Sequence, residues 1–378
     1  MEVNVLMNLE WTKNEIICKE LYAPFDLEKD CDYFNDLKEK FNIVIKQIEN
    51  AGADLDCIKI LNTYKNRILD ALTSYYQADI AKCNIIIENL IHEVGDNPFA
   101  VSILSESYAF PENFRDEIQF FRCRRGNQSN VYLAKDMLHL PQKLRAKSGN
   151  YRFSIPGNPS LYLANSSYGC WIETDFPADN EFNVSPVLVD GTQKILNLAV
   201  SIKNCCDLKD FDEEMVKCWL RLYMLTIATS YRIKEEGRIF KSEYIISQSI
   251  MMACKRLGYD GIAYYSKRVK NEAFASCAIN LVLFVDYEGE YSKIVRHMKM
   301  DDAFNFGFYK QLCPSLIYKD YNLKSIGTGN ITNIGNYDRQ YPYNETKFFE
   351  FDKFLFASWQ DKHNKKGKNE IPWGVPVD

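Results

Sequence analysis

The chain has 378 residues, of which 46% are hydrophobic and 26% are charged, which is typical of a globular protein with one or two domains. Its net charge of −5 gives no chain-wide basic surface for nucleic acid, and the alternative is a local basic patch such as Arg122, Arg124 and Arg125. Twelve cysteines without a CxxC pair and only four histidines predict no metal site.

The sequence also predicts where in the cell the protein is located. Glu2, Asn4 and Asn8 interrupt any apolar segment of a signal peptide. No apolar run reaches the roughly 18 residues of a membrane-spanning helix. Free thiols in a reducing cytoplasm are therefore expected, without a membrane partner.

The first 110 residues have a helical pattern. Apolar residues recur at three- and four-residue intervals from Asp32 to Val94. One helix is predicted before Gly52 and two more after it, with a break near residues 74–78, because a single forty-residue helix is rare in a globular domain. A short helix is predicted up to about Ala109. Residues 1–110 are thus predicted to be an α-helical module with a docking or regulatory role.

The pattern changes after Pro111 to a mixture of strands and helices, and residues 118–300 are predicted to be a second domain. The turn residues Asp190-Gly191 predict a β-hairpin. The predicted strands are residues 120–124, 160–164, 186–190, 194–200, 261–266 and 279–286, and the predicted helices are residues 212–236 and 244–257. Residues 301–378 are predicted to be a C-terminal extension, with a strand or helix over 346–359 and a loosely held tail over 360–378.

Three residue types with distinct chemistry follow one another between Tyr151 and Glu173. Arg152 offers a guanidinium fork that can hold a phosphate, and Tyr162 offers a ring and a hydroxyl. Glu173 lies within the first two turns of a helix predicted to start near Ser166, and it offers one carboxylate, which beside a ribose can stabilise positive charge at the anomeric carbon. The stretch therefore predicts half of a site for a phosphate-bearing ligand. The alternatives are that Glu173 is a surface residue on a first helical turn and that Tyr162 packs in the core.

The order of these residues resembles the RES domain family. The resemblance rests on Arg152-x-Ser-x-x-Gly-x-Pro-x-Leu-Tyr162-Leu-Ala, with Glu173 eleven residues after Tyr162. The upstream strand Phe121-Arg122-Cys123-Arg124 and the downstream segment 258–266, with Asn280 before a strand, extend it over about residues 118–290. Ser266 is the candidate for the family serine, and Ser247 is the alternative.

The resemblance implies an α+β fold: a mixed β-sheet core with helices, similar to ADP-ribosyltransferases, preceded here by the helical module. It implies NAD as the substrate, no further cofactor, and a toxin with an antitoxin or regulatory partner. By resemblance, the catalytic residues are Glu173, Arg152 and Ser266, and the NAD-binding residues are Arg122, Arg124, Tyr162, Ser154 and Asn280.

Three functions remain open from the sequence. The first is cleavage of the nicotinamide–ribose bond of NAD by hydrolysis or phosphorolysis. The second is ADP-ribosylation of a protein or nucleic acid, with the same site and a target chosen by the helical module. The third is an inert nucleotide-binding or interaction module.

Overall fold

A computed structural model describes residues 10–13, 16, 18–27, 32–110, 117–202, 211–234, 237–269, 278–313, 343, 346–367 and 370–377. Within these ranges the contacts divide the chain into two units. The first comprises Met1–Pro111, Tyr151–Ser154 and Lys194–Lys267, and the second comprises Glu112–Asn150, Ile155–Gln193 and Arg268–Asp378. The predicted boundaries near residues 110, 118 and 300 stay predictions.

The first unit contains five α-helices among its described residues. They are α1 (Tyr33–Asn50), α2 (Leu55–Tyr76), α3 (Ile80–Val94), α5 (Glu213–Ala228) and α6 (Ile245–Arg256). Aspartates at the residue before α1, α2, α3 and α5 accept hydrogen bonds from first-turn amides, which explains where these helices begin. Helix α2 packs against α1, α3 and α5. The predicted break near residues 74–78 is confirmed, and Ala78 there has a left-handed φ of 64°.

The strands of the first unit are short. β6 (Lys194–Leu198) pairs in parallel with β8 (Gly261–Tyr265) and antiparallel with β2 (Val101–Ile103). β1 (Phe25–Asp26) pairs in parallel with β7 (Tyr231–Arg232). The short helix predicted up to Ala109 is therefore wrong, because β2 and a single 3-10 turn occupy that segment.

The second unit is built around the buried strand β5 (Phe182–Asp190). β3 (Glu117–Arg125) pairs antiparallel with β5 along its whole length, and β12 (Met298–Met300) and β13 (Phe304–Asn305) also pair with β5. β4 (Ser160–Ala164) pairs with β3 at Phe121 and with β9 (Ile279–Phe284) in full register. A separate ribbon joins β10 (Tyr287–Glu288) to β11 (Tyr291–Ser292).

Three helices complete the described part of the second unit: α4 (Ser167–Glu173), α7 (Phe306–Leu312) and α8 (Lys347–Lys365). They share one hydrophobic core with β3 and β5, in which Phe121, Trp171 and Phe351 are buried. The segment 346–359, predicted to be a strand or a helix, is thus a helix, and it extends to Lys365. Residues 360–378 are not simply a loose tail, because α8 extends into them and Val375 is buried.

The predicted α+β architecture with a mixed sheet and a helical N-terminal region is confirmed. The predicted hairpin at Asp190-Gly191 is wrong, since β5 pairs with β3 whereas β6 pairs with β2 and β8. Asp190 caps a local turn by accepting from Thr192 N, and Lys194 N already donates to Asp260. The helix predicted over 212–236 is also shorter, because α5 ends at Ala228. Among the described helices, none is long and apolar enough to cross a membrane.

Candidate active site

Helix α4 carries Glu173 as its last residue. The helix begins at Ser166, whose hydroxyl accepts from the Gly169 amide at 2.9 Å. Residues 167–172 are all buried, and the Glu173 side chain is 32% exposed. The helix therefore presents one partly exposed carboxylate at its C-terminal end. The alternative of a first-turn glutamate favoured by the helix dipole is wrong, because the C-terminal end repels negative charge.

The turn after α4 holds a tight backbone shape. Asp175 and Phe176 have φ angles of 65° and 52°, in the left-handed region that non-glycine residues rarely adopt. The Asp175 and Phe176 amides donate to carbonyls of α4 at 3.2 and 3.1 Å. The Trp171 indole Nε1–H donates to the Pro177 carbonyl at 3.0 Å. Such conformations persist where surrounding contacts impose them, so the exit from α4 is fixed beside Glu173.

Among the described residues, Asn280 and Arg268 lie against the Glu173 carboxylate. Asn280, which is buried on β9, donates from Nδ2 to Oε1 at 2.7 Å. Arg268 places its Nε 4.0 Å from Oε2 and donates from Nη1 to the Asp175 carboxylate at 3.1 Å. An amide hydrogen bond on one oxygen and a guanidinium near the other hold the Glu173 carboxylate in one orientation. A carboxylate fixed in this way can stabilise a developing cation.

Two cysteines link the back of α4 to strand β3. The Cys123 thiol donates to the Cys170 carbonyl at 3.3 Å, and the Cys170 thiol donates to the Phe121 carbonyl at 3.4 Å. Burial raises the pKa of Cys170 well above its ordinary value. Cys170 is therefore a neutral thiol that packs in the core beneath the helix.

The Arg122 side chain contacts the backbone of Tyr162. Arg122 donates from Nη1 to the Tyr162 carbonyl at 2.9 Å and from Nε to the Met137 carbonyl at 3.1 Å. Alternation along β3 directs Arg122 and Arg124 to the face opposite Cys123. The Arg124 guanidinium lies 5.8 Å from the centre of the Tyr132 ring. The Tyr162 side chain is half-buried on β4.

Arg152 lies in the first unit, where its guanidinium is buried. It donates to the Thr229 carbonyl and, at 2.5 Å, to the Tyr231 carbonyl. Its charged group also lies 5.3 Å from the centre of the Tyr244 ring. These contacts attach the segment Tyr151–Ser154 to the chain around β7, so Arg152 has a clear structural role.

The predicted serines are also buried in the first unit. Ser154 is fully buried, and its carbonyl accepts from Gln248 Nε2 at 3.1 Å. Ser266 follows β8 and is 4% exposed. Ser247 lies on α6, and within the described residues its buried hydroxyl has no hydrogen-bond partner. The choice between Ser266 and Ser247 stays open. No group of three metal-ligating side chains occurs in the part of the chain that the structure describes.

Comparison with known proteins identifies the family. The model of the RES domain matches residues 119–305. These residues form a RES domain. The match contains every predicted site residue, from Arg122 to Asn280, and it ends before α8.

One named relative and one solved structure were found by comparison with this chain. A Bacillus subtilis (strain 168) protein named "Putative toxin YopC" is 35% identical over 173 residues, which span 43% of this chain and 39% of that protein. The chain thus matches well under half the length of this relative. The solved M. tuberculosis MbcT-MbcA toxin-antitoxin complex contains a chain with 11% identity and a TM-score of 0.31, covering 61% of this chain and 97% of that one.

Sequence reasoning missed two charged residues of the second unit. Arg268 follows the candidate serine by two positions, and the adjacent basic pair Lys267-Arg268 after a strand was an available signal. Asp352 lies on α8, outside the RES match, and accepts a hydrogen bond from α4. Its distance from α4 in sequence left no local signal for this contact.

Proposed function

We propose that the RES domain consumes NAD by cleaving the bond between nicotinamide and ribose. The observation that carries this proposal is the Glu173 carboxylate, which is partly exposed at the end of a buried helix and is held by Asn280 at 2.7 Å. Nicotinamide leaves NAD as a neutral base, so the reaction needs no general acid. A fixed carboxylate that favours the oxocarbenium-like transition state supplies the stabilisation required.

The remaining NAD contacts follow from the motif. We propose that NAD is bound by residues of the second unit, namely Arg122, Arg124, Tyr162 and Asn280. Arg152, Ser154 and Ser266 keep their proposed roles from the sequence motif, with Ser247 as the alternative serine. Because Arg152, Ser154 and Ser266 are buried, we propose that they act by shaping the loop that binds NAD.

The biological role that we propose is that of a toxin with an antitoxin or regulatory partner. The name of the Bacillus subtilis relative supports the toxin role. The helices α1–α3 lie outside the RES match and are available to select a partner or a target. ADP-ribosylation of a macromolecule, with these helices selecting the target, is the second candidate reaction.

The test is incubation of the purified full chain with NAD, followed by chromatography of nicotinamide, ADP-ribose and ADP-ribose 1-phosphate. We expect nicotinamide release, and Glu173→Gln is expected to reduce it by at least about 100-fold. Glu181→Gln is the matched control, because Glu181 is a partly exposed glutamate of the same unit that pairs with Arg125.

The products separate the candidate reactions. Free ADP-ribose indicates hydrolysis, its 1-phosphate in phosphate buffer indicates phosphorolysis, and label from NAD on a macromolecule of a cell extract indicates transfer. Absence of nicotinamide release in all three conditions, with equal results for the wild type and Glu173→Gln, would show that the domain is an inert module.

A further inference from the structure

Helix α8 lies beyond the RES match, but it packs directly on the helix that carries Glu173. Its Phe348 ring lies 5.6 Å from the Tyr168 ring and 5.4 Å from the Trp171 ring, centre to centre. Its Phe356 ring lies 5.4 Å from that of Phe121 on β3. These buried aromatic contacts make α8 part of the core that supports α4.

Asp352 of α8 contacts the first turn of α4. It is 8% exposed, and its Oδ1 accepts from the Ser167 backbone amide at 3.1 Å. Its Oδ2 accepts from the Tyr343 hydroxyl at 2.5 Å. The Ser167 hydroxyl donates to the Phe348 carbonyl at 3.3 Å. Both oxygens of this buried carboxyl group are therefore hydrogen-bonded, and one of them fixes α4.

A helix as short as α4 depends on such contacts. Its first-turn amides have no partner inside the helix. Ser166 caps the Gly169 amide, and Asp352 accepts from the Ser167 amide. Two turns of helix are not stable in isolation. The rise of about 1.5 Å per residue puts Glu173 roughly 9 Å from Ser167, so a shift at one end moves the other.

We propose that Asp352 is a positioning residue for Glu173 and acts through α4. The C-terminal helix thereby completes the RES domain of this chain, since it holds the N-terminal end of α4 while Asn280 holds the carboxylate at the other end. This inference rests on the proposed NAD-consuming function for its catalytic consequence, and on the described contacts for its structural one.

The test compares Asp352→Ala, Asp352→Asn and Tyr343→Phe with Asp361→Asn in the full chain. Asp361 is an exposed aspartate of the same helix and serves as the matched control. Native-state hydrogen exchange of the α4 amides is measured by mass spectrometry, and kcat and KM are measured for nicotinamide release from NAD.

We expect Asp352→Ala to exchange the α4 amides at least tenfold faster than the control and to lower kcat about tenfold, with KM changed less than threefold. Asp352→Asn is expected to recover part of both, because its amide oxygen still accepts from Ser167. Tyr343→Phe is expected to lie between Asp352→Asn and the control. If Asp352→Ala does not fold, Asp352→Asn and Tyr343→Phe decide the same question.

Two results would overturn the inference. Equal α4 exchange in the Asp352 variants and the control would show that Asp352 does not hold the helix. Faster exchange with unchanged kcat would show that the helix contact has no bearing on Glu173. A wild type without NAD turnover would instead contradict the proposed function, and the exchange rates would still decide whether Asp352 fixes α4.

Discussion

Arg152 and Glu173 belong to one stretch of sequence, yet their charged groups have opposite surroundings. The Arg152 guanidinium is buried in the first unit and donates to the Thr229 and Tyr231 carbonyls. The Glu173 carboxylate is partly exposed in the second unit, with an asparagine on one oxygen. One motif thus contains a charge that the fold uses to join its own segments and a charge that it leaves accessible to a ligand.

This difference separates stability from activity. Removing a buried donor leaves its acceptors without partners, and the loss of stability is large. Replacing a partly exposed carboxylate is expected to cost little stability. Its effect on activity can therefore be measured in a protein that remains folded. The two residues should therefore respond differently to substitution, and the sizes of their effects test the comparison.

The largest expected effect on stability is that of Arg152→Ala. The substitution leaves two buried carbonyls without their donor and opens a cavity beside Tyr244. We expect the free energy of unfolding to fall by about 4 kcal/mol, measured by urea denaturation. Glu173→Gln, measured alongside, is expected to change it by less than about 1 kcal/mol.

Arg152→Lys sharpens this comparison. Lysine keeps the positive charge but lacks the planar fork that reaches two carbonyls at once. Its stability is expected to lie between those of the wild type and the alanine variant. A stable Arg152→Ala variant with weak NAD binding would reverse our interpretation and make Arg152 a ligand-binding residue first.

The next largest effect is the pH dependence of stability that Asp352 causes. Asp352 contacts the end of α4 that lies opposite Glu173. Burial raises the pKa of Asp352 from 3.8 to about 7, although the Ser167 and Tyr343 donors act against this shift. Between these values the folded chain keeps a proton that the unfolded chain has lost, so stability falls as the pH rises. We expect Asp352 to contribute a loss of about 2 kcal/mol between pH 5 and pH 7.

Asp352→Asn isolates this contribution, because asparagine does not titrate. Urea denaturation of both chains at pH 5, 6 and 7 is the measurement. The difference in stability, wild type minus variant, is expected to decrease as the pH rises. A difference that is constant with pH would mean that Asp352 has the same pKa in the folded and unfolded chains.

The sequence predicted strand β4 and the helix that carries Glu173, because local residues mark where each of them begins. The turn residues around 156–159 delimit β4, and Ser166 marks the start of α4. Pairing between distant segments has no such local signal. The Asp190-Gly191 turn is typical of a hairpin, but β5 pairs with β3 and β6 pairs with β8 instead.

The candidate site was likewise predictable only where a local motif marks its residues. Glu173 and Asn280 were both predicted, and their direct hydrogen bond depends on the pairing of Ala164 with Asn280 between β4 and β9. The burial of Arg152 was not predicted, because the carbonyls that it contacts are about 80 residues away. Chemistry-bearing residues can be read from a motif, whereas their burial depends on the whole fold.

The smallest expected effect concerns Asn280 and Arg268, which contact the Glu173 carboxylate. Asn280→Ala removes a hydrogen bond of 2.7 Å from a buried donor, and Arg268→Gln removes a partly exposed charge at 4.0 Å. A lost hydrogen bond to a charged group is worth about 1.5 kcal/mol, which corresponds to about tenfold in kcat for nicotinamide release. An exposed ion pair is worth less, and we expect Arg268→Gln to change kcat less than about threefold.

The salt dependence of the two variants completes this comparison. Because added salt screens exposed charges, the small effect of Arg268→Gln is expected to vanish at about 0.5 M NaCl, while that of Asn280→Ala persists. A larger effect for Arg268→Gln than for Asn280→Ala would mean that a guanidinium, rather than the sheet, holds the Glu173 carboxylate in place. Glu173 would then depend on a charged partner for its position, whereas neutral backbone carbonyls hold Arg152.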